Sequence, residues 1–178
     1  MPAIEGKRLI SVSTSKTLAA AGDYAANDVL SEHATTGTCW TFDAIVRNNG
    51  GSGYITRAHA VWSKSGGMTN VTPRISILLF NATPTSVLND NVASTAVLHA
   101  DKTAYVGRID FPAMSVIGTS GTASPESVCT PSTSGNLPMA FICDSADDAL
   151  YGVVVILDAE TNETAASQLT IKLIIEQY

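Results

Sequence analysis

The side chains able to do chemistry are few and scattered. Three histidines, His33, His59 and His99, occur at no metal-ligand spacing, and no HExxH motif is present. His59 alternates with Arg57 and Val61, which places it on the second, partly exposed face of a strand. A glycosidase would need two carboxylates flanking a sugar. Asp43, Glu32 and the Asp147-Asp148 pair are the candidates. Each has a plainer reading: Asp43 falls on the polar face of an amphipathic strand, and Asp147-Asp148 in a turn before one. The run GTSGT (118–122) lacks the last glycine of a GxSxG nucleophile elbow. Cys39, Cys129 and Cys143 are odd in number and sit at no metal or redox spacing, so three reduced thiols are expected, with Cys39 and Cys143 in strands. This inventory points away from an enzyme, and no cofactor is expected.

The densest polar cluster lies in LFNATPTSVLNDNV (79–92), where an apolar run stops abruptly. Asn89, Asp90 and Asn91, with Asp101, could offer oxygen atoms to calcium, but the EF-hand pattern and its closing glutamate are missing. Sequons occur at Asn70, Asn81 and Asn162. The N-terminus MPAIEGKRLISVS has no long apolar core or cleavage site, so export and glycosylation are not expected. The cluster therefore reads as a loop whose Asn and Asp side chains satisfy turn backbone groups and whose exposed edge meets a neighbour.

The elements that must position these residues are strands. In TCWTFDAIV (38–46), Trp40, Phe42, Ala44 and Val46 alternate with polar residues. In the C-terminal LTIKLIIEQY, Leu169, Ile171, Leu173 and Ile175 do the same, and a one-residue slip would expose the whole set. RISILLF (74–80) and LYGVVVILD (150–158) are apolar on both faces, as in the middle of a sandwich. Further strands are expected in RLISVS (8–13), GYITRAHAVWSK (53–64), TAYVGRIDF (103–111) and PMAFIC (138–143). RNNGGSG (47–53) and SKSGGMTN (63–70) read as reversals. Residues 118–138 read as one long irregular loop, and 91–102 as the only place for a short helix. About nine or ten short strands predict a single all-β domain over 1–178, an antiparallel sandwich or jelly roll, with an extended arm at 1–7.

Composition bounds the partners. The chain has 178 residues, 45% hydrophobic and only 15% charged, well under the roughly 25% usual for soluble domains. Such a surface must be covered largely by Ser, Thr, Asn, Gly and Ala, and suits packing against other proteins. The formal charge is −6, and no basic run exceeds Lys7-Arg8, so nucleic acid is an improbable partner. No apolar segment reaches the about 20 residues of a membrane helix.

Several segments together resemble small virion-associated proteins of tailed double-stranded DNA phages. They are AGDYAANDVLS (21–31), NGGSGYI (49–55), LFNATPTSVLNDN (79–91), GRIDFPAM (107–114), TPSTSGNLPMAF (130–141) and the terminal IEQY. The resemblance implies a structural protein of the particle, most plausibly a head decoration or cement protein. Such proteins are β-rich, often homotrimeric, and bind the major capsid protein on the outer shell after assembly in the bacterial cytoplasm. On that view the partner contacts are expected at Pro2, Ile4, Lys7 and Arg8 of the arm, at Trp62, at Asn89, Asp90 and Asn91, and in the loop 118–138. The alternatives are a carbohydrate-binding or host-recognition module of the virion, and a tail or connector protein.

Overall fold

A computed structural model describes residues 8–19, 22–64, 71–119, 123–131, 136–161 and 166–177. Pro2, Ile4 and Lys7, the sequons at Asn70 and Asn162, and parts of the loop 118–138 lie outside the described residues.

Nine strands form two antiparallel sheets: β1 (Arg8–Thr17), β2 (Trp40–Phe42), β3 (Ser52–Ser63), β4 (Ile75–Phe80), β5 (Tyr105–Phe111), β6 (Glu126–Cys129), β7 (Met139–Ile142), β8 (Leu150–Ile156) and β9 (Gln168–Gln177). The first sheet runs β1-β9-β3, with β6 and β7 sharing the far side of β3. β7 pairs with Ser52–Ile55 and β6 with Ala58–Val61, so the two short strands lie end to end. The second sheet runs β2-β8-β4-β5. The chain crosses from sheet to sheet at each of β1, β2, β3 and β4, and again through β7, β8 and β9. With β6 and β7 counted as one interrupted strand, this winding is a jelly roll of two four-strand-wide sheets.

The alternating sequences supply the core between the sheets. On β9, Leu169, Ile171, Leu173 and Ile175 all point inward and are fully buried. On β3 the register shifts between Ile55 and Arg57, leaving Thr56 as an extra residue. The bulge changes which parity faces inward, so Gly53 and Ile55 are buried before it and Ala58, Ala60 and Trp62 after it. Without it Arg57 and His59 would be driven into the core. Trp40 faces Gly152 across the β2–β8 pair. A Cβ at Gly152 would stand 2.8 Å from Ile77 Cδ1 and 3.3 Å from Trp40 Cβ, so only glycine leaves room for the indole. Both buried indoles are satisfied: Trp40 Nε1–H donates to Leu30 O and Trp62 Nε1–H to Ser167 Oγ, each at 2.9 Å.

Four expectations need correction. The strand expected over 38–46 covers only Trp40–Phe42, and Ala44 turns outward with φ +52° while Ile45 and Val46 fill the core. A helix over 91–102 is replaced by a single 3-10 turn at His99–Asp101, because this stretch is held by side-chain anchors rather than by an apolar stripe. The segment 118–138 contains β6, whose Ser127 and Cys129 are buried against β3 and β5. Cys129 is accordingly the cysteine in a strand, while Cys39 and Cys143 flank β2 and β7. Burial raises the Cys143 thiol to about 12, with Asp147 and Asp148 adding to the effect, so it stays protonated.

Candidate interaction surfaces

The cluster LFNATPTSVLNDNV opens the connection 81–104, which folds back on the outer side of the second sheet. β4 turns Ile75, Ile77 and Leu79 to the main core and Phe80 to the opposite face. There Phe80, Val153, Val155 and Val29 form a second apolar cluster, covered by Val87, Leu88, Ala96 and Ala104. The sheet is widened at its edge as well. Residues 27–30 bond to β8 through Leu30 N–H to Val154 O and Ile156 N–H to Asp28 O, each at 2.9 Å. Residues 91–94 bond to 27–29 in turn, through Asn91 N–H to Val29 O and Ser94 N–H to Asn27 O.

Buried carboxylates pin this cover. Asp101 accepts from the Thr85 N–H and hydroxyl on Oδ1 at 2.8 and 2.7 Å, and from the Ser86 N–H and hydroxyl on Oδ2 at 3.1 and 2.7 Å. Burial opposes its charge, but these bonds from Ser86 and Thr85 prevail and lower its pKa. Asp90 is buried too, accepting the Ser31 N–H at 2.6 Å and the Tyr24 hydroxyl at 2.9 Å. Asn89 Oδ1 accepts the Gly37 N–H at 3.1 Å. A Cβ at Gly37 would stand 2.0 Å from Leu88 O, so glycine permits the approach of these two loops. Asn91 occupies the left-handed region at φ +54° and, with its amide nitrogen toward acceptors, donates to Asp28 Oδ2 at 3.0 Å.

Asn89, Asp90 and Asn91 thus serve as internal anchors, and Asp90 is withdrawn from any partner. The oxygens considered for calcium diverge, with Asp90 and Asp101 bound to different loops. Among the described residues, no group of three or more His, Cys, Asp or Glu side chains is placed to hold a metal ion. Trp62 is likewise corrected: it is fully buried against Tyr24 at a ring-centroid distance of 6.4 Å and offers no surface.

Glu32, considered as a catalytic carboxylate, belongs to a second anchor. Lys16 points inward from β1 and is 8% exposed. Its ammonium donates to Glu32 Oε2, to Thr38 O at 2.6 Å and to Thr38 Oγ1 at 2.8 Å, and lies 5.7 Å from the Trp40 ring centroid. All three ammonium protons are used, which is what lets a lysine be buried. Burial disfavours the Glu32 charge, but the bonds from Lys16, Thr38 and Ser31 outweigh it and hold its pKa down at about 2. Asp147 accepts the Tyr151 hydroxyl, raising that phenol to about 12 through the bond itself and then through burial. Asp43 is exposed just beyond β2, and no second carboxylate faces it across a pocket shown here.

The outer face of the first sheet is different. Its cross-strand rows are Leu9, Glu176, Tyr54 and Ala140; then Ser11, Ile174 and Arg57; then Ser13, Lys172, His59 and Val128; then Ser15, Thr170, Val61 and Glu126. Leu9 is 65% exposed and Ile142 63%, with Tyr54 and Val128 also open to solvent. His59 is half-buried as expected and meets Glu126 Oε2 at 3.0 Å. A shallow depression of about 540 Å³ lies between Leu9, Arg57, Pro131, Ile174 and Glu176. Exposed apolar residues also occur on loops, at Ile117, Val97 and Leu98. Sequence reasoning named only Arg8 near the open face. The missed signal was available in β1, where Leu9 interrupts an outward series otherwise made of Ser11, Ser13 and Ser15.

Beside this face, β1 is an edge strand. Its C-terminal half is closed by residues 38–41, since Thr14 Oγ1 donates to Thr41 O and Lys16 bonds Thr38. Its N-terminal half opens on a groove of about 500 Å³, walled by Ile10 and Val12 on one side and by Asp43, Ala44, Val46 and Arg47 on the other. On the floor, Gln177 Nε2–H donates to Ile45 O at 3.0 Å, and its buried Oε1 has no donor among the described residues.

No protein-family model matches the chain, and comparison with curated proteins finds no match.

Proposed function

We propose that this protein is a structural component of a tailed-phage particle, a decoration or cement protein that binds the outer capsid shell. The observation that carries this reading is the open outer face of the first sheet, where Leu9, Tyr54, Val128 and Ile142 stand exposed among small hydroxyl side chains. A broad, rigid, sparsely charged surface suits adhesion to another flat protein surface. The β-sandwich class agrees with what the resemblance implies. The jelly roll supplies the rigidity, since every row of the face is fixed by a strand register.

On this reading the open face, and not the 89–91 loop or Trp62, meets the major capsid protein. Affinity comes from summed burial: about 1,600 Å² is standard for a specific pair, and several contacts on one shell multiply through avidity. Binding the assembled shell and not its dissociated subunits stabilises the shell by linkage.

Co-sedimentation with tail-free, undecorated heads tests the proposal. Saturable binding at a fixed copy number per head is the expected result, and Val128→Asp and Ile142→Asp should abolish it while the protein stays folded. A folded wild-type protein that leaves the heads bare sinks the reading. Glycan screening then tests host-surface recognition in its place.

A further inference from the structure

The open half of β1 is a place where the fold is incomplete. It is the N-terminal part of a ten-residue edge strand, flat, with alternating side chains and no bulge in its pairing to β9. Unpaired backbone groups along such an edge are a template for another strand. The same strand is already closed at its other half by residues 38–41, which shows the geometry that a cover takes.

We propose that a second copy of this chain covers the open edge, the two β1 strands lying antiparallel about a two-fold axis at Ser11. This goes beyond the virion reading and does not depend on it. The register follows from two requirements. A sheet continuous across the axis must keep inward residues opposite inward ones, which admits only pairings between positions of like parity. Centring on Ser11 then sets Ile10 against Val12 of the second copy, closing the apolar groove with a β-branched pair on each side of the axis. Leu9 meets Ser13, and Arg8 meets Thr14. Charge favours this alignment over centring on Ile10. Thr14 is bonded to Thr41, two residues before Asp43. The exposed guanidinium of Arg8 in one copy therefore comes beside the exposed carboxylate of Asp43 in the other, and the symmetry makes this pair twice.

The contact is two-fold, unlike the homotrimer implied by the resemblance, so solution measurements separate them. Sedimentation of the wild-type protein should show a concentration-dependent dimer. Arg8→Glu and Asp43→Arg should each weaken it by at least about tenfold, because each change sets like charges together twice. The double variant should restore it, an outcome that a purely structural role for either residue does not give. In a Cys39→Ser background, Ser11→Cys should form an intermolecular disulfide on oxidation. A monomer at all concentrations overturns the proposal. So does a dimer or trimer indifferent to the two charge reversals, or one in which the Ser11→Cys variant fails to cross-link. Amide exchange over residues 9–13 that is slow in the monomer would show that the chain itself closes the edge, and would overturn it equally.

Discussion

On the outer side of the second sheet, Phe80, Val153 and Val155 lie beneath the connection 81–104; on the outer side of the first, Leu9, Tyr54, Val128 and Ile142 face water. The inner faces of both sheets are alike, filled by alternating Ile, Leu, Val and aromatic residues. The difference lies in the outward parity. β4 and β8 are apolar on both faces, so each needs two covers, and the chain provides the second one itself. β1, β3 and β9 carry Ser, Thr, Lys, Arg, His and Glu outward, so that face tolerates water and is available to a partner. One long connection is therefore spent on stability and one sheet face is left for contact.

The largest effect that would break this comparison is in the covered cluster. Phe80→Ala should lower the free energy of unfolding by about 3–5 kcal/mol in a denaturant titration, against about 0.5 kcal/mol or less for Val128→Ser on the open face. Equal losses at the two sites would mean that the open face is not open. Next comes the pin of the cover. Asp101→Ala strands the Thr85 and Ser86 donors and should remove about 2–3 kcal/mol, with the fastest amide exchange appearing over residues 81–104.

A smaller effect carries a pH signature. Glu32 has its pKa held at about 2, below the ordinary 4.5. A depressed carboxylate pKa gives stability that is complete above the unfolded value and fades as pH falls from about 4.5 toward 2. The Lys16–Glu32 pair is partly open to solvent, so its share is discounted to about 1–2 kcal/mol. Glu32→Gln should show that deficit at pH 7 and lose it by pH 2, as read from unfolding at each pH. A deficit unchanged across that range would mean that shape and not charge holds residues 31–38 against β1. The smallest effect is Leu9→Ser, expected to leave stability within about 0.5 kcal/mol while weakening adhesion to heads.

Much of the fold was legible. The β9 and β4 strands, the reversal before β3 with Gly50 at φ +73°, and the placement of His59 on an outer face all follow from period-two patterning and turn chemistry. The site was less legible. A polar cluster such as Asn89-Asp90-Asn91 looks the same in sequence whether its side chains face a partner or their own backbone. Trp62 likewise reads as an anchor or as core with equal ease, and its seat beside Tyr24 and Ser167 is made by residues far along the chain.

The sequence by itself determined that this is an all-β protein, because residue alternation is a local property and each strand declares which of its faces is apolar. It determined as well that two strands are apolar on both faces and so require a second cover. Tertiary structure alone decided what that cover is, where the short β6 pairs, and which outward face remains bare. Those outcomes depend on long-range partners: Asp101 with Thr85 and Ser86, Asp90 with Tyr24 and Ser31, Gly37 beneath Leu88. No local pattern encodes such pairings, because the free energy that selects them exists only once the chain has closed on itself.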